Sequence, residues 1–212
     1  LVRTGRWDDR NQYMGCELRN RTLGVIGLGG IGRKLVQLLQ GFGMNQPIAF
    51  DPFAAPELFV KSGVKRVNFE EVLSTADFVS LHCPLNDQTR GLIGAEQLAL
   101  MKPDAYLLNL ARGGIVDEDA LYDALASEQI AGAALDCFEN EPVVTPNRFG
   151  ELGNVLLAPH SIAWTHELFR DIGRSACKSL LDLSQGRRPS GVVNPEVFDS
   201  AAFESKWARI KR

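Results

Sequence analysis

Three glycines at a fixed spacing follow a short apolar run near the start of the chain. Residues 24–32 read GVIGLGGIG, in which Gly27, Gly29 and Gly32 form the pattern GxGxxG. Such a run permits a tight turn, close approach of an anion to the backbone and close packing of the helix that follows. The amide groups and dipole at the start of that helix favour a pyrophosphate, with Gly30 and Ile31 as further contacts. The pattern alone is weak, because glycines also serve ordinary turns between a strand and a helix.

A carboxylate at a second position makes the glycine pattern more specific. Asp51 ends the next apolar run, 19 residues after Gly32, where a carboxylate can bond both hydroxyls of an adenine ribose. Its negative charge would repel a 2′-phosphate, and no Arg or Lys follows until Lys61. We therefore predict a dinucleotide site that prefers NAD to NADP. Taken alone, Asp51 before Pro52 would be interpreted as a turn former.

Apolar runs of strand length alternate with segments of helical periodicity between about residues 22 and 160. Strands are expected at residues 22–26, 47–50, 78–81, 105–108, 132–135 and 155–158. Helices are expected after the glycine run, with Ile31, Leu35, Leu38 and Leu39 facing the sheet, and at residues 69–75, 94–101 and 118–127, the last capped by Asp117. Near-continuous apolar strands separated by helices predict an α/β fold, a Rossmann-type doubly wound parallel sheet with both faces covered.

The bulk composition excludes several classes of function. The chain has 212 residues, 45% apolar composition and a formal net charge of −3, which argues against a nucleic-acid or anionic-membrane binder. It contains no apolar run of the length that spans a bilayer. Its four cysteines are scattered without metal-ligand spacing, so we expect reduced thiols, a cytoplasmic protein and no metal site.

Several segments in a single order resemble the NAD-binding domain of the D-isomer-specific 2-hydroxyacid dehydrogenases. They are RW at 6–7, the glycine segment 24–32, LHCP at 81–84, NLARGG at 109–114, VDE at 116–118, LDCF at 135–138, EP at 141–142 and PH at 159–160. The resemblance covers nearly the whole chain. It implies an NAD-dependent oxidoreductase that interconverts a D-2-hydroxy acid and its 2-oxo acid.

Three residues within these segments can perform that chemistry. Arg112 follows residues 105–111 at the carboxyl edge of the sheet, where its planar guanidinium can hold a substrate carboxylate and polarise the reacting carbonyl. His160 follows the last strand at the same edge, and an imidazole is suited to exchanging the hydroxyl proton near neutral pH. Glu141 would orient the imidazole and favour its charged form. The alternatives are a surface ion pair for Arg112, a structural role for His160 and a turn role for Glu141.

The resemblance also implies the remaining contacts to the cofactor. Asp136 would face the nicotinamide carboxamide, and the backbone of Cys83 and Pro84 would line the nicotinamide ribose. Further cofactor contacts are implied at Thr89, Ala111, Arg112, His160 and Ala163. His82 is interpreted as structural. After His160, the bulky Ile162 and Trp164 depart from the small residues usual in the family, so the identity of the acid is left open.

The resemblance further implies a division of the chain and a set of partners. Residues 1–20 would form an interdomain segment, residues 21–164 the NAD-binding domain, and residues 165–212 a helix and tail returning to a substrate domain. We expect that domain, of about 100 residues, to be missing from the sequence, together with any C-terminal regulatory domain. Trp7 and Tyr13 would lie near a homodimer contact.

The sequence leaves two alternative functions to consider. A relative acting on formate would carry an amide in place of Glu141, which counts against that possibility. A NAD-sensing binding protein, such as a corepressor of the same fold, could keep all three catalytic residues.

Overall fold

The computed structural model describes residues 1–210, without the side chains of Tyr13 and Ile210. The predicted dimer contact of the Tyr13 side chain therefore lies outside the described residues. The chain forms two compact units, Leu1–His160 and Ser161–Arg212. Within the described part of the chain, none of the helices combines the length and apolarity needed to cross a membrane.

The first unit is built on a seven-stranded sheet in which every neighbouring pair is parallel. The strands are β1 Leu23–Ile26, β2 Ile48–Phe50, β3 Lys65–Arg66, β4 Phe78–Leu81, β5 Tyr106–Asn109, β6 Gly132–Leu135 and β7 Val155–Leu157. Their order is β3-β2-β1-β4-β5-β6-β7, the doubly wound arrangement of a Rossmann fold. The predicted fold class is confirmed. The short edge strand β3 was not expected, because its two residues are charged and exposed.

Helices cover the sheet on both faces in the first unit. They are α1 Gly30–Leu39, α2 Pro56–Ser62, α3 Phe69–Thr75, α4 Ala95–Leu100 and α5 Glu118–Ala126. Short 3-10 helices lie at Val2–Thr4, Trp7–Tyr13, Gln40–Phe42 and Arg148–Glu151. The predicted cap of α5 is confirmed, since Asp117 Oδ1 accepts hydrogen bonds from the amides of Asp119 and Ala120, both at 3.0 Å. The helix α2 was not predicted.

The buried face of α1 differs from the predicted one. Ile31 and Leu38 are 73% and 63% exposed, whereas Gly32 and Val36 are buried. The reason is the closeness of the helix to the turn before it: a Cβ on Gly32 would lie 2.5 Å from the carbonyl oxygen of Gly27. The prediction that Ile31 and Leu38 face the sheet is wrong, because the helix turns its smallest residue toward this contact.

The second unit contains one long helix followed by a small aromatic cluster. The long helix, α6 His166–Ser184, lies where a helix was expected after residue 165, and it ends just before Gly186, whose φ is 68°. A 3-10 helix at Pro195–Asp199 and α7 Ala201–Ile210 follow. The rings of Phe198, Phe203 and Trp207 pack against one another.

Candidate functional site

The glycine loop joins β1 to α1 at the carboxyl edge of the sheet. Gly27 has a φ of 94°, and a Cβ there would lie 2.8 Å from the backbone of His82 and Cys83. No side chain fits at this turn. By contrast, a Cβ on Gly29 or Gly30 would meet no protein atom within 4 Å. The space before the first turn of α1 is therefore open, and an anion can approach the amide groups there.

Asp51 lies beside this loop, as its spacing from the glycines predicts. One carboxylate oxygen accepts a hydrogen bond from the amide of Leu28 at 2.8 Å. The other accepts from the amides of Phe53 and Ala54 at 2.9 and 3.0 Å. The oxygen bonded to Leu28 keeps a second lone pair, so the half-buried carboxylate can still accept a hydrogen bond from a ribose hydroxyl.

Arg112 stands on a turn that two neighbouring residues hold in place. The buried Asn109 donates through Nδ2 to the carbonyl of Arg112 at 2.9 Å and accepts from the amide of Ala111 at 3.2 Å. A Cβ on Gly113 would lie 1.8 Å from the carbonyl oxygen of Phe138, so only glycine allows this turn to meet the loop after β6. The side chain of Arg112 is exposed, and its Nη1 donates to the carbonyl of Ala111 at 2.6 Å.

Glu141 and His160 form a hydrogen-bonded pair next to this turn. Glu141 Oε2 lies 2.7 Å from His160 Nδ1, and Glu141 Oε1 accepts from the amide of Phe138 at 2.9 Å. The bond to His160, followed by the bond from Phe138, holds the pKa of Glu141 below its ordinary value. His160 follows β7 with a φ of 53°, an unusual backbone conformation for a residue with a side chain. The predicted partnership of these two residues is thus present in the geometry.

A buried cysteine, Cys137, lies next to this pair and was not predicted as a site residue. The sulfur of Cys137, a carboxylate oxygen of Glu141 and a ring nitrogen of His160 lie within 4.8 Å of one another. Burial, followed by the charge of Glu141, raises the pKa of the Cys137 thiol to about 11. The positions 137, 141 and 160 give no recognisable spacing, because His160 arrives from the loop after a different strand. Only the pairing of β6 with β7 brings the three together.

A cleft of about 1000 Å³ opens between α1 and the carboxyl ends of β4 and β5. Six of the predicted site residues line it: Gly30, Ile31, Cys83, Pro84, Ala111 and Arg112. It is also lined by eight residues that were not predicted for the site: Lys34, Leu35, Leu38, Ser80, His82, which was interpreted as structural, Leu85, Leu108 and Leu110. The volume is of the order that small-molecule and cofactor sites occupy.

The other predicted cofactor contacts are not among the residues that line the cleft. Thr89 Oγ1 donates to the carbonyl of Pro84 at 2.6 Å and so fixes the loop that borders the cleft. Asp136 is buried at the end of β6, where its amide donates to the carbonyl of Asn109 at 3.1 Å. Ala163 belongs to the second unit. His82, by contrast, does line the cleft. Its Nε2 is hydrogen-bonded to Ser80 Oγ at 2.9 Å, and burial lowers the pKa of its ring.

The sequence of this chain is similar to those of a known protein family and of several characterised enzymes. The family described as D-isomer specific 2-hydroxyacid dehydrogenase, NAD binding domain, matches residues 1–161. The D-3-phosphoglycerate dehydrogenase of Archaeoglobus fulgidus is 38% identical over 203 residues, which make up 96% of this chain and 38% of the relative. The glyoxylate reductase of Thermococcus litoralis is 39% identical over 207 residues, covering 95% of this chain and 62% of the relative.

A solved structure agrees with these relatives. The D-isomer specific 2-hydroxyacid dehydrogenase from Lactobacillus delbrueckii ssp. bulgaricus, in its NAD complexed form, superimposes with a TM-score of 0.79 at 33% identity. The match covers 91% of this chain and 62% of that one. The chain thus spans between about two fifths and three fifths of the relatives named above. It belongs to the D-isomer specific 2-hydroxyacid dehydrogenase family, as its NAD binding domain.

Proposed function

We propose that the chain is the cofactor-binding part of an NAD-dependent oxidoreductase that interconverts a D-2-hydroxy acid and its 2-oxo acid. The observation that carries the proposal is the hydrogen bond of 2.7 Å between Glu141 and His160, beside the turn that presents Arg112. A proton carrier, its carboxylate partner and a cation for an organic acid are the side chains that this reaction needs. The two relatives named above, a phosphoglycerate dehydrogenase and a glyoxylate reductase, support the same class of reaction.

Each of the three side chains has a distinct role in the proposed reaction. His160 uses Nδ1 to bond Glu141, which leaves Nε2 to exchange a proton with the substrate oxygen. Glu141 fixes the ring and stabilises its protonated form in the direction of reduction. Arg112 binds the substrate carboxylate through its planar guanidinium. Bound NAD supplies or accepts the hydride, and the protein orients it.

The glycine loop and its neighbours would hold the cofactor. In this proposal the amides before α1 bind the pyrophosphate, and Asp51 binds the adenine ribose. The backbone of Cys83 and Pro84 lines the nicotinamide ribose. The contacts proposed at Thr89, Ala111, Asp136 and Ala163 rest on the family resemblance.

Two wider proposals accompany this function. We propose a homodimer through the cofactor domain, supported by the 63% exposure of Trp7, an aromatic side chain suited to a buried contact between subunits. We also propose a cytoplasmic location, supported by cysteines that occur singly and are all free thiols.

Turnover of a panel of 2-oxo acids with NADH, measured on a protein that also carries the expected substrate domain, tests the enzymatic proposal. His160→Ala should lower kcat by roughly 10²-fold or more, the usual scale of general acid–base catalysis, and leave NADH affinity nearly unchanged. His166→Ala, at an exposed histidine in the second unit, is the matched control and should leave kcat unchanged. If NADH binds but no acid oxidises it faster than in the His160→Ala variant, a NAD-sensing binding protein becomes the better interpretation.

A further inference from the structure

Cys137, Glu141 and His160 offer three different kinds of metal ligand at one point. A thiol sulfur, a carboxylate oxygen and an imidazole nitrogen converge within 4.8 Å, and this is the one group of at least three such residues in the described part of the chain. Sulfur, nitrogen and oxygen donors together are the ligand set of Zn²⁺. Magnesium and calcium prefer oxygen ligands, so the set selects a softer ion.

Two of the three ligands are held in place before any metal arrives. Cys137 is only 2% exposed and lies two residues after β6, between the buried Asp136 and Phe138. Glu141 is anchored by its bond from the amide of Phe138 to Oε1, which leaves Oε2 directed at His160. Zinc bonds of about 2.0–2.3 Å require ligand atoms roughly 3–4 Å apart, so a small rotation of the His160 ring completes the set.

The surroundings leave room for a fourth ligand. The side chains of His160 and Glu141 are 46% and 33% exposed, so water reaches one side of the cluster while Cys137 closes the other. Three protein ligands with an open fourth position are a stable arrangement for zinc. The charge also favours binding, because a thiolate and a carboxylate neutralise a divalent cation.

We propose that Cys137, Glu141 and His160 form a Zn²⁺ site and that zinc bound there blocks proton transfer by His160. On binding, the thiol of Cys137 releases its proton to solvent and forms the sulfur–zinc bond, since a coordinating thiol is deprotonated outright. Zinc between Glu141 and His160 replaces the hydrogen bond that joins them: the ring gives up its Nδ1 proton to solvent and Nδ1 binds zinc through its lone pair. The neutral ring, protonated only on Nε2, can then no longer form the imidazolium that donates a proton. The site goes beyond the proposed oxidoreductase activity and makes that activity sensitive to free zinc.

Titration of the chain with Zn²⁺ alone tests the site without any assay of turnover. Because Cys16 and Cys177 are exposed, the measurement uses a background in which both are serine. Calorimetry should show one saturable site per chain. Cys137→Val and Cys137→Ser, two changes close in size to cysteine, should each weaken it by at least about 10-fold, the lower bound for losing even an outer-shell partner of a metal.

Cobalt(II) gives a second readout that reports sulfur ligation directly. The background protein should show a thiolate-to-cobalt charge-transfer band, and both Cys137 variants should lack it while still binding NAD. Zinc should also inhibit turnover in the background protein more strongly than in the variants. Absence of the band, or an equal zinc affinity in the Cys137 variants that retain NAD binding, would overturn the proposal. Neither result depends on which acid is the substrate.

Discussion

At the scale of single residues, hydrogen bonds from the protein backbone hold charged side chains of the candidate site in fixed positions. Asp51 accepts three hydrogen bonds from backbone amides, one of them from Leu28 within the glycine loop. The carboxylate is therefore fixed next to the expected ribose position before a cofactor binds. A fixed acceptor loses less side-chain entropy on binding than a mobile one.

The role proposed for Asp51 predicts a change in cofactor preference. Asp51→Ala removes the acceptor for the ribose hydroxyls and the charge that repels a 2′-phosphate. Affinity for NAD should fall about 10- to 100-fold, the scale of hydrogen bonds to a charged group, and the gap between NAD and NADP should narrow. Dissociation constants for both cofactors measure this change. Asp51→Asn, which keeps an acceptor but not the charge, should lose less NAD affinity; tighter binding of NADP than NAD by the unaltered protein would contradict the assignment.

Glu141 predicts a shift in the pH profile of reduction. Its lowered pKa keeps the carboxylate ionised through neutral pH, where it stabilises the protonated imidazole of His160. Reduction needs that proton, so its rate falls as rising pH removes it. Glu141→Gln replaces the charge by an amide, and the fall should occur at a lower pH. Rates of NADH oxidation across the pH range measure it, with Glu139→Gln as a control two positions away; superimposable profiles for wild type and Glu141→Gln would remove Glu141 from this role.

The sequence was sufficient to predict the positions of those candidate site residues that depend only on the order of residues along one strand or one loop. The glycine loop and Asp51 could be predicted because each follows a strand that ends at the same edge of the sheet. Cys137 could not, since its role depends on how the loops after β6 and β7 meet in space. Asn109 and Gly113 were also missed as supports of Arg112, because nothing in their spacing shows that the turn contacts Phe138.

At the scale of secondary-structure elements, parallel pairing explains both the successes and the errors of prediction. Six of the seven strands are near-continuous apolar runs, interrupted by Ser80 in β4 and Asn109 in β5, and these six were predicted to within a residue at either end. The edge strand β3 buries little and carries no such signal. In α1 the apolar pattern favoured Ile31 and Leu38 for the sheet. The close contact at Gly32 instead set the rotation of the helix, which periodicity alone does not reveal.

A cluster of charged residues around Asp77, just before β4, should make the free energy of unfolding depend on pH. Asp77 is buried and accepts hydrogen bonds from the amide of Thr22 at 2.6 Å and from Lys102 Nζ at 3.2 Å. Burial by itself would raise the pKa of Asp77, but these two bonds, together with the charges of Lys102 and Arg21, outweigh it, and the pKa lies below the ordinary value. The stabilisation is therefore present above the unfolded-state pKa of about 3.9 and is lost as pH falls through the lower folded value.

Asp77→Asn should reduce the free energy of unfolding by about 1–3 kcal/mol near neutral pH, the range for unsatisfied buried polar groups. The difference from wild type should begin to shrink below about pH 4, where the carboxylate of the unfolded state takes up a proton, and should shrink further as pH falls through the lower folded-state pKa. Denaturant unfolding at several pH values measures both effects. Asp104→Asn is the matched control, because Arg21 contacts both Asp77 and Asp104, at 3.4 and 2.8 Å, but Asp104 is exposed. A difference for Asp77→Asn that does not change with pH would show that the charge of Asp77 is unimportant.

At the scale of the whole molecule, the residues proposed to bind the cofactor are held by backbone contacts within the first unit, whereas the proposed proton carrier and its partner face water. Asp51 and the turn at Gly27 are supported by the sheet within the first unit, whereas His160 and Glu141 are 46% and 33% exposed. Cofactor binding should need only the parts that this unit supplies. Hydride and proton transfer need a site from which water is excluded.

We therefore predict that the 212-residue chain binds NAD well but catalyses the reaction poorly. It should bind NAD with an affinity similar to that of the Thermococcus litoralis glyoxylate reductase, of which it spans 62%, because the glycine loop and Asp51 are preformed. Its turnover of 2-oxo acids should be far lower, since closure of a site around the substrate both excludes water and completes the catalytic geometry. Calorimetry with NAD and steady-state rates on one panel of acids, measured side by side for the two proteins, test both halves of the prediction. Weak NAD binding would mean that the first unit does not hold its cofactor unaided. Turnover equal to that of the reductase would mean that the exposed pair of Glu141 and His160 is already a complete site.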